Sequence, residues 1–350
     1  MVDTAHPERM KAGIPTTGIF GVFGIYRYFL ATLVLAGHTG PLPLAFAATY
    51  AVRAFFVLSG YVVCYILRHD YLRFKRGTLK YAANRALRIL PAYLLTCGLS
   101  LCLVYGPREQ TLEIFDWFGS FKGISPPPML AWLITLVPIS WSLGTEAFYW
   151  ALMPVMLKSV WARCGFILFA LSYTVYVFSR GSFPPDSLEY LKISYLGLSP
   201  SALPFCLGML LFLHKEKGGR PIPCLLAIAC MVLFLGLIAC AWSVFGNPFF
   251  IPAFAALGLS TVIIAWLSQR DQDRLSRRMQ KLDRFCGNLA YPVFLIHLPM
   301  AALLHILLPS LALNSFAFMV LTLCLANPAA LLIHYSVQAP VDRLRHRIKC

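Results

Sequence analysis

Charge is what this sequence has least of: Asp, Glu, Lys and Arg make up 13% of its 350 residues, and only 14 are acidic. A soluble domain carries about 25% charged residues, so a surface wetted on all sides is excluded. The eleven cysteines contain no C-x-x-C pair, and Cys64, Cys97, Cys206, Cys240 and Cys324 lie in apolar runs. They read as small hydrophobes, with no disulfide framework and no metal site expected. The opening MVDTAHPERMKAGIP lacks the apolar run and small-residue cleavage site of a signal peptide. The first membrane helix is expected to serve as an uncleaved signal.

What is present is apolar: 59% of the residues are hydrophobic. The pattern predicts an all-α, polytopic membrane bundle of about ten helices over 19–38, 44–67, 89–105, 131–157, 164–179, 196–213, 221–241, 249–268, 288–308 and 314–336. A single domain over 1–350 is expected, with no fused extracytoplasmic domain, a cytoplasmic segment 1–18 and a basic tail 341–350. The outer loops 106–130 and 180–195 are long enough for a lid or vestibule but not for an independent fold. Residues 271–284 are expected to form a short amphipathic helix on the inner leaflet.

A net charge of +16 raises the question of nucleic acid, and its distribution answers it. With the N-terminus inside, inner segments hold 24 of the 30 Lys and Arg, outer segments hold 4, and Arg27 and Arg53 fall within spans. Such a bias predicts both termini in the cytoplasm. The excess charge therefore reads as topology and attraction to anionic lipid, not as a nucleic-acid footprint.

Arg27 and His38 lie eleven positions apart in one apolar segment. A central Arg costs roughly 2.5 to 3.5 kcal/mol to insert, so intramembrane ionisable groups mark functional interiors by default. Eleven residues of helix turn about 1,100° and rise ~16 Å, which puts both side chains on one face, stacked along a path. His38 can serve as a general base, since imidazole titrates near neutral pH. A lone His at a helix end beside Thr39-Gly40-Pro41 would also simply reach interfacial water.

Three further clusters carry ionisable or small residues. Arg53-Ala-Phe-Phe-Val-Leu-Ser59-Gly60-Tyr61 lies in the second span. Its Ser-Gly pair suits close helix contact, and the partner of Arg53 is left open. Arg85-Ala-Leu-Arg88-Ile-Leu-Pro91 starts the third, where two guanidiniums three apart share a face and suit phosphate, or serve as positive-inside flanks. Trp141-Ser142-Leu-Gly-Thr-Glu146 lies in the fourth, with Ser142 one turn from Glu146. Glu146 could orient His38, carry a proton, bind a sugar hydroxyl or pair with Arg27 or Arg53. Near the end stands Tyr291-Pro-Val-Phe294-Leu-Ile-His297-Leu-Pro299.

This ordered set, from about residue 20 to 340, resembles the membrane acyltransferase-3 family, whose bacterial members O-acylate cell-surface sugars. The resemblance implies His38 as the catalytic residue, Arg27 as its partner, and Arg85 and Arg88 as the donor-binding pair for a cytoplasmic acyl-CoA, most simply acetyl-CoA, with no tightly bound cofactor. It implies Glu146 as a catalytic carboxylate where relatives often carry two acidic residues in succession. Arg53, Ser59, Gly60, Ser142 and His297 follow as substrate-binding or structural residues, with a structural contact favoured for His297. The implied setting is the bacterial cytoplasmic membrane. The acceptor would be a surface glycan, lipid-linked or nascent, with a separate extracytoplasmic acyl-handling partner as one route. Relatives tend to close with a Glu before a basic residue and Pro; Gln338-Ala339-Pro340 stands here, so any ionic contact at that place is expected to be missing. A succinyl or other acyl donor, a small-molecule sugar acceptor, and a glycan flippase or transporter are the competing readings.

Overall fold

The computed structural model describes residues 22–41, 44–105, 140–179, 197–219, 250–269 and 275–349, with isolated positions between them. Among the described residues the regular structure is entirely helical. In chain order the helices are α1 (Phe23–Thr39), α2 (Ala45–Ile66), α3 (Gly77–Tyr105), α4 (Ser140–Lys158), α5 (Val160–Ser179), α6 (Leu198–Glu216), α7 (Phe250–Leu267), α8 (Arg277–Leu307), α9 (Phe316–Ile333) and α10 (Ala339–Lys349). Single π-helical turns at Leu67–Tyr71 and His334–Gln338 extend α2 and join α9 to α10. Helices suit such apolar stretches because each backbone polar group is satisfied within its own segment.

Among the described residues six helices, α2, α3, α5, α6, α8 and α9, are long and apolar enough to cross a membrane. Most of the expected span 221–241, the start of 131–157 and the two long outer loops lie outside the described residues. The amphipathic segment expected as a short helix at 271–284 is not a separate helix from Arg277 onward. Those residues are the first turns of the 31-residue helix α8, started by Ser276, whose Oγ accepts from the Met279 N–H. Arg277, Arg278, Lys281 and Arg284 are exposed, while Asp283 is buried.

Helices α1, α2 and α8 form the centre: α1 packs on α8 and α2, while α2 also packs on α6 and α7. Two glycine pairs set the spacing. A Cβ on Gly24 would lie 1.9 Å from the Asp283 carbonyl oxygen, and one on Gly287 would meet the Gly24 Cα at 3.0 Å. A Cβ on Gly208 would likewise lie 2.1 Å from the Val57 carbonyl oxygen and 3.0 Å from the Gly60 Cα. Small residues at these crossings let the backbones touch. The outer helices instead expose Leu94, Leu95, Leu168, Phe169, Val175 and Leu332. Such surface is stable against lipid tails and would be costly in water.

Candidate active site

The basic end of the bundle is built around the start of α1. Asp283 of α8 accepts a hydrogen bond from the Ile25 N–H at 2.9 Å, satisfying one of the orphan donors of α1's first turn. Next to it opens a polar cleft walled by α1, α2, α3, α8 and α10. Five arginines line it, Arg27, Arg85, Arg88, Arg284 and Arg345, against two aspartates, Asp283 and Asp342, so the cleft is suited to an anion.

Several of these groups are held in place by neighbours. The Arg85 guanidinium lies 5.4 Å from the Tyr81 ring centroid and 5.1 Å from that of Trp150. Trp150 is anchored in turn, its Nε1–H donating to Ser59 Oγ at 2.8 Å. Asn84 Oδ1 accepts from both Nε and Nη2 of Arg345, which also pairs with Asp342. Arg85 Nη2 and Asn84 Nδ2 are buried without a hydrogen-bond partner among the described residues. Buried donors of this kind beside several arginines suit an anionic ligand.

A second, largely apolar cavity continues from the cleft. Arg27, Arg85, Arg88, Gly287 and Tyr291 belong to both walls. Glu146 and Ser142 both line this cavity, as their spacing of one turn requires, together with Ser59, Phe55 and Phe294. The Phe294 ring stands 5.9 Å from Phe55 and 6.3 Å from the ring of His297, one turn further along α8. His297 is fully buried, and its Nε2 lies 3.0 Å from His38 Nδ1. Arg27 and His38 thus face the same neighbour, α8, as their spacing predicts. Arg27 borders the cavities, and His38 meets the histidine beyond Phe294.

The other sequence candidates separate by position. Gly60 is a packing residue at the α2–α6 crossing, whereas Ser59 faces the cavity. Arg53, only 5% exposed, lies away from both cavities with its guanidinium 5.6 Å from the Tyr195 ring centroid. Close to Gln338, Asp342 pairs with Arg345 at the cleft. Asn84, Trp150, Asp283 and Arg345 escape sequence reasoning altogether. Their patterns match helix flanks and interface aromatics, and only packing brings them to the site.

Helices apolar enough to cross a membrane surround an arginine-lined cleft and an apolar cavity, and the paired His38 and His297 lie beyond Phe294 and line neither. The sequence matches the family model described as an acyltransferase domain over residues 23–335, so the chain belongs to the acyltransferase-3 family and is a membrane acyltransferase. Neither the curated proteins nor the solved structures contain a significant match.

Proposed function

We propose that this acyltransferase moves an acyl group, most simply acetyl, from a coenzyme A thioester to a hydroxyl of a cell-surface glycan. One observation carries this reading: the arginine-rich cleft and the apolar cavity share Arg27, Arg85, Arg88 and Tyr291 as common wall. A donor with an anionic head and a long, weakly polar arm needs these two environments in series. Phosphates would pair with Arg85 and Arg88, the arm would lie along Val62, Phe55 and Phe294, and the thioester would approach His38.

In the reaction His38 takes the proton of the acceptor hydroxyl as its oxygen attacks the thioester carbonyl. The tetrahedral intermediate collapses, the thiolate leaves, and the proton passes from His38 to sulfur. A covalent acyl-His38 intermediate is the other route open to the same atoms. Glu146, a carboxylate on a wall with three arginines, would balance their charge and orient the reacting groups. The apolar walls limit hydrolysis of the thioester by keeping water out.

The basic end carries the cleft, so the positive-inside bias puts the donor in the cytoplasm and His38 towards the outer side. In this reading the chain crosses the bacterial inner membrane about ten times with both termini cytoplasmic. It acts on a lipid-linked or nascent glycan directly, or through a separate extracytoplasmic carrier.

The test is transfer of labelled acetyl-CoA to surface polysaccharide in proteoliposomes, read by acyl mass on the glycan. An acetyl gain that disappears in His38→Ala supports the proposal. A succinyl gain changes the donor, and loss of polymer export without any acyl change would replace the reading with a transporter.

A further inference from the structure

We infer that His297 is the positioning residue that fixes the tautomer of His38 and aims its Nε2 at the acceptor hydroxyl. The inference rests on His38 being the base of the proposed transfer. It begins with a contact 259 residues apart in sequence: His38 Nδ1 and His297 Nε2 are 3.0 Å apart. The ring planes differ by only 7° while their centroids stand 5.3 Å apart. That separation equals the N···N distance plus roughly the two ring radii, so the rings lie edge to edge in a common plane. This is the geometry of a linear N–H···N hydrogen bond, not of stacking.

The direction of the bond follows from the other nitrogen of His297. Its Nδ1 lies 2.8 Å from the Phe294 carbonyl oxygen, which can only accept, so Nδ1 carries a proton. His297 is 0% exposed, where an imidazolium would be costly, so the ring is neutral and its Nε2 is an acceptor. His38 must then donate through Nδ1–H, and its lone pair sits on Nε2. The chain Phe294 carbonyl, His297, His38 is an oriented relay with a neutral third member. When Nε2 takes the hydroxyl proton, the positive charge on His38 is stabilised by the His297 lone pair; when sulfur takes that proton back, His38 returns to the same tautomer. Proton count is unchanged over the cycle, and no co-reactant is needed.

Three substitutions separate this role from packing. In His297→Gln, the amide oxygen can still accept from His38 Nδ1–H, and kcat should stay within roughly tenfold of the native enzyme. In His297→Leu, of similar bulk but without an acceptor, kcat should fall by about 100-fold or more, with KM for the acyl-CoA nearly unchanged. His38→Ala should be inactive. Equal losses in the Gln and Leu variants, or a fully active Leu variant, would overturn the inference while leaving the transferase reading intact. An active His38→Ala enzyme would instead remove His38 as the base of the proposed transfer, on which the inference stands. Should the Leu variant fail to accumulate, ¹⁵N-histidine spectra of the native protein decide, with His38 assigned by loss of its signals in His38→Ala. A protonated Nδ1 and unprotonated Nε2 on His38 support the relay, and the reverse pattern rejects it.

Discussion

Asn84 holds Arg345 with one oxygen: its Oδ1 accepts from Nε at 3.0 Å and from Nη2 at 2.7 Å across 261 residues of sequence. The contact ties α10 to α3 and turns the Asn84 amide N–H groups, buried and without a partner among the described residues, to the polar cleft. Hydrogen bonds to charged groups contribute about 1.5 to 3 kcal/mol.

Asn84→Leu should therefore raise KM for the acyl-CoA by about tenfold or more, since roughly 1.4 kcal/mol is a factor of ten. The step at His38 is remote from this contact, so kcat should change little. Steady-state kinetics with varied donor concentration check the split. A fall in kcat at constant KM would place Asn84 outside donor binding.

Arg27 and Glu146 face the same cavity from α1 and α4. Arg27→Gln and Glu146→Gln should each lower kcat/KM at least tenfold, and the double variant should lose less than the product of the two. Interacting pairs typically show coupling of about 0.5 to 3 kcal/mol. Strict additivity in the double-mutant cycle would show that the two charges act independently.

The α2–α6 crossing predicts a stability effect without a catalytic one. Gly208→Ala would drive a methyl into the Val57 carbonyl, whereas a Cβ on Gly98 or Gly165 meets nothing within 4 Å. Overpacking of this kind costs about 1 to 3 kcal/mol. Gly208→Ala should lower the thermal midpoint in detergent, and Gly98→Ala and Gly165→Ala should not.

Arg68 and Glu216 form an ion pair at 2.8 Å whose side chains are 51% and 30% exposed. Exposed pairs contribute about 0 to 1 kcal/mol. Arg68→Ala should leave activity and the unfolding midpoint close to native, and a shift comparable to that of Gly208→Ala would contradict this.

Helical spacing made part of the site legible in advance. Arg27 and His38 face α8, Ser142 and Glu146 share the cavity wall, and Arg85 and Arg88 share the cleft, all because residues a whole number of turns apart share a face. The contacts that complete the site are not periodic. His297 reaches His38, Arg345 reaches Asn84 and Asp283 caps α1 across more than 250 residues, and no local pattern encodes such meetings. The helix expected to be short at 271–284 runs on from Arg277 to Leu307, because its later turns pack against α1 and α9.

Helix α8 borders the cleft at Asp283 and Gly287, the apolar cavity at Tyr291 and Phe294, and the proposed base His38 at His297. From Gly287 to His297 is a rise of ~15 Å, beside the ~16 Å from Arg27 to His38 on α1. In the proposed transfer the two helices together would act as a ruler, graduated in helical turns, for the reach of the donor's arm. One residue inserted between Phe294 and His297 would swing the imidazole by about 100° and lift it only ~1.5 Å. The measured length would survive almost unchanged, while the alignment on which proton transfer depends would be lost.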